Sequence, residues 1–348
     1  MSRRRPKARL RILALMHPSL VPPDDLAALA AQAAYDIKTE FDVVSTLRVA
    51  GHEVHTLGVA DELLPIRRAV EDFRPHVVFN LLEEFHGRRE FDQHVVSYLE
   101  LLRVPYTGCG PRGLMLSRDK ALAKQILAYH RIRSPKFFVA PRGRRSSTAR
   151  RPKALEFPLI VKSLTEESSE GISQASVVDD DERLAERVAF IHEAVGSDAL
   201  VEQYIDGREL YVGVMGFERP VVFPPWELLF ANLAPGAVAI ATSRVKHDAR
   251  YQEERGILQA EAELDPAVVA RIARVSRRIY KMLYLDGYAR LDFRLAADGE
   301  PYFLEANPNP DIARSEEFAS AAEARGIGYE ALLDRIVHQG MRAQRQPH

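Results

Sequence analysis

The sequence predicts an α/β protein in which an N-terminal parallel α/β domain precedes two α+β subdomains. Three observations support this fold class. Short apolar segments alternate with segments of helical spacing over the first third of the chain, as in parallel sheets whose crossovers are helices. Later segments suit antiparallel strands, and two of them are separated by Asp298-Gly299, a strong hairpin signal. Finally, 348 residues exceed what one hydrophobic core usually organises.

The first predicted domain covers residues 1–115. Its strands are expected at residues 12–16, 54–57 and 77–81. Its helices are expected at residues 27–34, 37–49, 66–73 and 91–103. Parallel sheets bind ligands at the carboxyl ends of their strands, so the loop after the third strand is a candidate site. The residues that this loop offers are Asn80, Glu83, Glu84, His86 and Gly87.

The bulk composition excludes several classes of function. The basic N-terminus leads into a short apolar run that stops at His17-Pro18 without a small-residue cleavage site, which favours a first strand over a signal peptide. No run of about 18 apolar residues occurs, so we expect no membrane span. A net charge of −1 creates no overall field that would attract nucleic acid. The single cysteine, Cys109, fits a structural role in a reducing cytoplasm.

The second predicted domain covers residues 116–205 and the third covers 206–348. A helix is expected to open near Asp119-Lys120, and the basic loop 141–153 lacks aromatic residues that would stack on bases, so it reads as a solvated surface loop rather than an RNA site. Residues 224–256 form a long connection of the kind often used as a lid. Further strands are expected at 137–139, 158–162, 175–178, 199–204, 209–215, 220–223, 288–295 and 301–306, and helices at 266–283 and 329–341.

The predicted hairpin carries a candidate metal site. Glu305 and Asn307 are two residues apart, so on an extended strand their side chains point the same way. Asp292, on the first strand, can face them across the turn. A donor set made only of oxygen atoms suits Mg²⁺ or Mn²⁺ rather than zinc. The alternative is three solvated turn residues.

Two lysines and a small-residue loop form a candidate phosphate site. Lys162 ends an apolar strand and precedes the Ser- and Gly-containing loop 167–173, whose backbone N–H groups can surround phosphate oxygens. Lys120 and Lys162 can supply point charges, although each alone also suits an ordinary surface position. Glu202 and Glu209 can hold ribose hydroxyls or an adenine amine, or merely cap strands.

The order of these features resembles the ATP-grasp superfamily, and most closely the D-alanine–D-alanine ligases. Residues 104–108 followed by Asp119-Lys120 are similar to that family's PYTG…DK segment, and residues 161–173 to its VKP…GSSVG segment. Residues 287–292 resemble its G-x-x-R-x-D segment, and residues 304–307 match its LEAN segment. The resemblance covers nearly the whole chain from about residue 75, and the preceding part more loosely.

The resemblance implies an ATP-grasp fold, in which the two α+β subdomains clasp ATP. It implies a cytoplasmic ligase that joins a small-molecule carboxylate to an amine through an acyl-phosphate and releases ADP and phosphate. Two Mg²⁺ ions would assist, with Mn²⁺ as a substitute, and a homodimer through the N-terminal region would be common for such a protein. No nucleic-acid or membrane partner is implied.

The resemblance also implies roles for individual residues. Glu202 and Ile205 would lie beside adenine, Glu209 beside ribose, and Arg290 beside the developing oxyanion. The implied cofactor-binding residues are Lys120, Lys162, Ser168, Ser169, Gly171, Glu202, Ile205 and Glu209. The implied metal ligands are Asp292, Glu305 and Asn307, with Glu305 bridging the ions. The implied catalytic residues are Arg290, His86 near the first substrate, and Lys246 near the γ-phosphate.

Two segments depart from the family pattern. The family's Glu that holds the ammonium of the first alanine is missing, with Asp24 or Asp25 as candidate substitutes. The family's Ser-Leu pair for the second alanine's carboxylate is replaced by Glu316-Glu317, which would repel an anion unless Arg314 compensates. We therefore expect substrates other than two D-alanines, including a cationic amine acceptor. The alternatives are a D-alanine–D-alanine or D-alanine–D-lactate ligase with a diverged pocket, and a non-catalytic nucleotide-binding regulator.

Overall fold

Three sheets follow one another along the chain, and helices cover them. The structure, a computed structural model, describes residues 9–26, 29–143, 151–166, 171–233, 236–242, 244–245 and 248–343. Within these ranges no helix has the length and apolar character needed to cross a membrane. The sheets fall in turn within the three predicted domains, whose borders remain a prediction.

The first sheet is parallel, as predicted, with the strand order β2-β1-β3. Its strands are β1 (Arg11–Met16), β2 (Glu53–Gly58) and β3 (Val77–Asn80). Its helices are α1 (Ala31–Asp36), α2 (Lys38–Val49), α3 (Leu64–Phe73) and α4 (Asp92–Leu101). The predicted helix at residues 27–34 therefore begins later, and residues 27–28 lie outside the described residues.

Alternate side chains of β1 pack into different hydrophobic cores. Ile12 belongs to a core shared with helices near the C-terminus, which supply Leu332 and Ile336. Leu13 and Leu15 belong to a second core on the other face, with Ile66 of α3. Because successive side chains of a strand point to opposite faces, both faces of this sheet are covered, as the continuous apolar strands predict.

The second sheet is antiparallel, with the order β4-β7-β5-β6. The helix predicted to open near residue 119 is α6, whose N-terminus is capped by Asp119 accepting from the Leu122 backbone N–H at 2.9 Å. A separate helix, α5, precedes it and was not predicted. The elements are α5 (Pro111–Arg118), α6 (Lys120–Tyr129), β4 (Phe137–Ala140), β5 (Leu159–Ser163), β6 (Val177–Val178), α7 (Asp181–Phe190) and β7 (Ala199–Gln203).

The third sheet is also antiparallel, with the order β11-β10-β8-β12-β13 and with β9 paired to β8. Its strands are β8 (Arg208–Met215), β9 (Val221–Val222), β10 (Trp226–Phe230), β11 (Ile257–Glu261), β12 (Tyr288–Leu295) and β13 (Pro301–Pro308). Its helices are α8 (Ala249–Arg255), α9 (Pro266–Met282), α10 (Glu317–Ala324) and α11 (Tyr329–Ala343).

The structure corrects the interpretation of residues 224–256 as one long connection. Residues 226–230 form β10, which pairs with β8 and along its whole length with β11. The two apolar residues Leu228 and Leu229 fit a sheet because one is buried in a small core and the other is partly exposed.

Gly207 connects the second sheet to the third at a position where only glycine fits. Its φ is +149°, and an added Cβ would lie 2.1 Å from the carbonyl oxygen of Leu295. We expect Gly207→Ala to lower the free energy of unfolding by more than about 1 kcal/mol. Gly328→Ala is the control, because nothing lies within 4 Å of its added Cβ, and it should stay within about 0.5 kcal/mol. Denaturant unfolding measures both, and equal effects would contradict the steric argument.

Candidate active site

The predicted metal residues share one face of the β12–β13 hairpin. Asp292 pairs with Glu305 in the strand register, and Arg290 pairs with Asn307. Arg290, Asp292 and Arg294 follow each other with a period of two along β12, so their side chains point to the same side of the sheet. The hairpin thus brings together the two carboxylates and the amide that the sequence placed in one site.

A β-bulge in β13 sets the direction of Glu305. Asp292 pairs with Glu305 but Phe293 pairs with Phe303, so Leu304 is an extra residue with no partner on β12. A bulge re-aims the side chains beside it. In consequence Phe303 stays in the hydrophobic core, whereas Glu305, only two residues later, faces the cleft with Asp292.

Arg290 is held by two carboxylates. Its Nε donates to Asp292 Oδ1 at 2.8 Å, its second terminal nitrogen donates to Asp292 Oδ2 at 3.0 Å, and its first donates to Glu317. Burial lowers the pKa of Arg290, but Asp292 and then Glu317 outweigh this effect and the pKa is raised well above the ordinary value. The guanidinium is therefore a fixed positive charge on the same hairpin face as Asp292.

The donor set fits a magnesium ion by its chemistry. Asp292 also accepts a hydrogen bond from Asn307 at 3.1 Å, so the three predicted ligands converge on one place. Among the residues that the structure describes, no group of three His, Cys, Asp or Glu side chains is arranged to hold a metal. Two carboxylates completed by substrate phosphates are typical of Mg²⁺ sites, and this hairpin matches that type.

The predicted phosphate lysines lie on two neighbouring elements, Lys120 on α6 and Lys162 on β5 of the second sheet. Lys120 Nζ lies 3.6 Å from Glu305 Oε2 and donates to the Glu166 carbonyl at 2.6 Å. Lys162 Nζ lies 2.6 Å from Glu202 Oε2. Burial lowers the pKa of Lys162, but Glu202 and Glu305 outweigh it and the pKa is raised. Lys162 thus carries positive charge at the edge of the cleft.

A cleft lies between the second and third sheets. Its lining includes predicted nucleotide residues from β7 to β8, of which Glu209 lies 3.1 Å from Arg294 and the Ile205 carbonyl accepts from Arg294 at 3.1 Å. The cleft is lined by Pro135, Ile160, Lys162, Ile172, Glu202, Gln203, Tyr204, Ile205, Glu209, Ile240, Ala241, Asp292, Arg294, Leu304 and Glu305. Nucleotide and metal candidates therefore border the same space.

Some predicted site residues are not brought together with this cleft. His86 lies exposed on a left-handed turn with φ +57°, and its ring packs against Phe85 at 4.9 Å. Within the described residues no contact joins His86 to Arg290. Ser168, Ser169 and Lys246 lie outside the described residues. Gly171 is described, with φ +72° and a carbonyl that accepts from Arg187.

Sequence reasoning missed two buried cations of the site. Arg294 contacts Tyr204, Glu209 and the Ile205 and Ala239 carbonyls, and its period-two spacing after Arg290 and Asp292 was the available signal. Lys124, one helical turn after Lys120, is completely buried, and burial lowers its pKa to about 8. Its spacing placed it on the same helix face as Lys120, but a buried lysine is uncommon.

Arg294 is expected to hold residues 204–209 in place, the segment that carries the predicted nucleotide residues Ile205 and Glu209. Replacing it by methionine removes charged hydrogen bonds, each contributing about 1.5–3 kcal/mol, to residues that border the cleft. We expect Arg294→Met to raise the Kd for ATP at least about tenfold, equivalent to 1.4 kcal/mol. Isothermal calorimetry measures this, with exposed Arg277→Met on α9 as the control. An unchanged Kd would show that Arg294 serves folding alone.

Comparison with known proteins identifies the family. The model of the D-Ala–D-Ala ligase C-terminus matches residues 126–338. The chain belongs to the D-alanine–D-alanine ligase family. It is therefore an ATP-grasp ligase of the ADP-forming class. A D-alanine–D-alanine ligase of Bordetella petrii is 34% identical over 255 residues, 73% of each chain. An uncharacterized protein of Sinorhizobium fredii is 30% identical over 303 residues, 85% of each chain.

Solved structures agree with this family in fold. The D-alanine–D-alanine ligase of Bacillus anthracis, complexed with ATP, matches with a TM-score of 0.72 at 22% identity, covering 97% of this chain and 99% of that one. The ligase of Coxiella burnetii matches with a TM-score of 0.72 at 17% identity, covering 97% and 95%. The predicted ATP-grasp fold is thus confirmed, with the cleft lying between its two α+β sheets.

Proposed function

We propose that this chain joins a small carboxylic acid to an amine through an acyl-phosphate, using ATP with two Mg²⁺ ions. One observation carries the proposal: Asp292, Glu305 and Asn307 share one hairpin face that Lys120 approaches and that borders the cleft containing Lys162. Family membership supports ATP and divalent-metal use. Asp292, Glu305 and Asn307 would hold the ions, and Mn²⁺ would serve as a substitute for Mg²⁺.

The residues of the cleft suit phosphoryl transfer followed by amide formation. A carboxylate is a poor electrophile until phosphorylation gives it a leaving group. Bound Mg²⁺ would supply neutralisation of the charge on the transferring phosphoryl group. Lys120 and Lys162 would add point charges there, and Arg290 would stabilise the oxyanion formed when the amine attacks. One such donor contributes about 2.7–4 kcal/mol in other enzymes.

The face of the hairpin beside Glu317, where the family resemblance puts the acceptor's carboxylate, disfavours a second carboxylate. Arg290 directs its Nε and both terminal nitrogens to Asp292 and Glu317. A substrate carboxylate would therefore compete with Glu317 for the guanidinium, and it would meet the negative charge of Glu317 itself. Like charges this close disfavour each other strongly in a buried place. The geometry supports an acceptor amine without a neighbouring carboxylate.

A second group of charges beside Glu317 strengthens this interpretation. Lys38 contacts Glu316 and lies 4.0 Å from Asp311, while Thr39 donates to Asp311 at 2.6 Å. Burial, then Asp311 and Glu317, raise the pKa of Glu316 to about 7. Burial is the largest cause of this shift, and the neighbouring carboxylates of Asp311 and Glu317 add to it. A substrate cation placed beside these carboxylates would stabilise their charged forms.

The contacts of Arg314 and Asp24 do not support the compensation predicted for these two residues. Arg314 extends to Glu330 at 3.4 Å and to Thr46 at 3.3 Å rather than to Glu316. Asp24 forms an exposed ion pair with Arg48 at 2.9 Å. We therefore propose a cationic amine acceptor. A D-alanine–D-alanine or D-alanine–D-lactate ligase is the second candidate, favoured by the names of relatives such as the Bordetella petrii protein.

The proposal is tested by release of ADP and phosphate from ATP and Mg²⁺ with pooled acids and amines. The pools contain D- and L-amino acids, diamines and amino-acid amides, and each active pool is divided until one acid and one amine remain. We expect release to need an acid together with an amine that bears a second positive charge. Full activity with D-alanine alone would instead select the second candidate.

Assembly and location complete the proposal. We infer a homodimer through the N-terminal region and a cytoplasmic location, both supported by the family resemblance. A mass in solution of twice the 39.2 kDa chain, measured by light scattering, is the expected result. A mass of one chain would overturn the dimer.

A further inference from the structure

Lys124 connects the two sheets of the cleft from a completely buried position. It lies on α6, and its side chain has no exposed surface. Its Nζ donates to the Leu304 carbonyl at 2.5 Å and to the Phe303 carbonyl at 3.3 Å. Its Nζ also lies 2.8 Å from Glu202 Oε1. A buried ammonium needs such partners, because an unpaired charge in the interior is very unfavourable.

The first two contacts are made to the β-bulge. Leu304 is the extra residue of β13, with no partner on β12. A bulge leaves local backbone groups outside the regular ladder, and Lys124 supplies a charged donor to the Leu304 carbonyl. This peptide group precedes Glu305 directly. The position of Lys124 therefore bears on the direction in which the Glu305 carboxylate points.

The third contact reaches the phosphate lysine. Glu202 is also completely buried, and its two carboxylate oxygens lie 2.8 Å from Lys124 and 2.6 Å from Lys162. Burial raises the pKa of Glu202, but Lys124 and then Lys162 outweigh this and the pKa is lowered. Glu202 is thus an anion held between two cations.

We propose that Lys124 is a positioning residue, which holds the Leu304 bulge so that Glu305 faces Asp292 and which fixes Lys162 through Glu202. The inference rests on the proposed metal and nucleotide site. A single buried chain of contacts would then set the metal carboxylate and a phosphate lysine at a fixed relative position, on two different sheets. If Lys124 only neutralised the charge of Glu202, it would not need its contact with the Leu304 carbonyl.

The test measures metal binding separately from turnover. Calorimetry with Mn²⁺ and a non-hydrolysable ATP analogue gives the metal affinity of wild type, Lys124→Met and the double variant Lys124→Met/Glu202→Gln. Methionine approximates the length of lysine, and the double variant removes both charges, so it avoids an unpaired buried carboxylate. Exposed Gln125→Met on the same helix is the matched control.

We expect at least a tenfold weaker Mn²⁺ affinity in both Lys124 variants, and an equal increase in the Mg²⁺ concentration for half-maximal ADP release. The double variant should recover much of the melting temperature lost by the single variant without recovering metal affinity. Gln125→Met should match wild type in both measurements.

Two results would overturn the inference. Wild-type Mn²⁺ affinity in the double variant would mean that Lys124 only balances the charge of Glu202. Wild-type affinity in Lys124→Met would mean that the bulge holds Glu305 unaided. Failure of the wild-type protein to bind Mn²⁺ with the analogue would instead contradict the proposed site itself, so the two failures are distinct.

Discussion

Asp292→Asn is expected to reduce turnover by more than about 100-fold while leaving the protein folded. Loss of groups that only support metal ligands already costs 10–100-fold in many enzymes, and Asp292 is proposed as a direct ligand. The replacement keeps the side-chain shape but removes the charge opposite Glu305. Arg290 keeps its contact with Glu317. ADP release with the active acid–amine pair measures the effect, and the melting temperature checks folding.

A second carboxylate of the same hairpin is the matched control. Asp298 lies in the turn, where it accepts from the Glu300 backbone N–H at 3.0 Å, and Asp298→Asn should retain turnover. ATP-analogue binding by Asp292→Asn should weaken but persist. If wild type and Asp292→Asn bind the analogue equally and neither releases ADP with any pool, the chain is a nucleotide-binding regulator.

The hairpin was predictable because its signals are local. Asp298-Gly299 forms the turn, with Gly299 at φ +76°, and Asp292 faces Glu305 as the strand periodicity implied. By contrast, β10 was missed because Trp226–Phe230 lies in a region of mixed charge, and its partner β11 begins 27 residues after β10 ends. Pairing over such a distance depends on packing, which propensity does not report.

The contacts that organise the cleft were not predictable for the same reason. Lys124 and the Leu304 carbonyl are 180 residues apart, and Lys38 and Glu316 are 278 apart. The spacing of Lys124 after Lys120 puts both lysines on one helix face, but no residue near Lys124 in sequence shows that this face is buried. The sequence does not reveal the bulge in β13 either. If residues 303–307 formed a regular strand, Glu305 would point to the same face as Phe303. The sequence indicated the candidate metal residues, and the fold determines which cations lie beside them.

Glu316→Ser/Glu317→Leu is expected to reverse the preference between acceptor amines. The change introduces the Ser-Leu pair that is typical of the family and removes two carboxylates. It also frees the Arg290 nitrogen that donates to Glu317 in the wild-type protein. Lys38 also loses its partner Glu316, so the local charge becomes less negative, with Asp311 and Asp292 remaining beside Lys38 and Arg290. We expect the ratio of kcat/KM for the identified cationic amine over D-alanine to fall at least about 100-fold, or 2.7 kcal/mol.

The single variants locate the effect. Glu317→Leu alone should act mainly on D-alanine, because it frees Arg290 for the acceptor carboxylate. Glu316→Ser alone should act mainly on the cationic amine, because Glu316 is the carboxylate beside Lys38 and Asp311. Glu330→Ser is the control, since its ion pair with Arg314 is largely exposed. A ratio that the double variant leaves unchanged would show that the acceptor amine binds away from Glu316 and Glu317, and the proposed cationic acceptor would lose its physical basis.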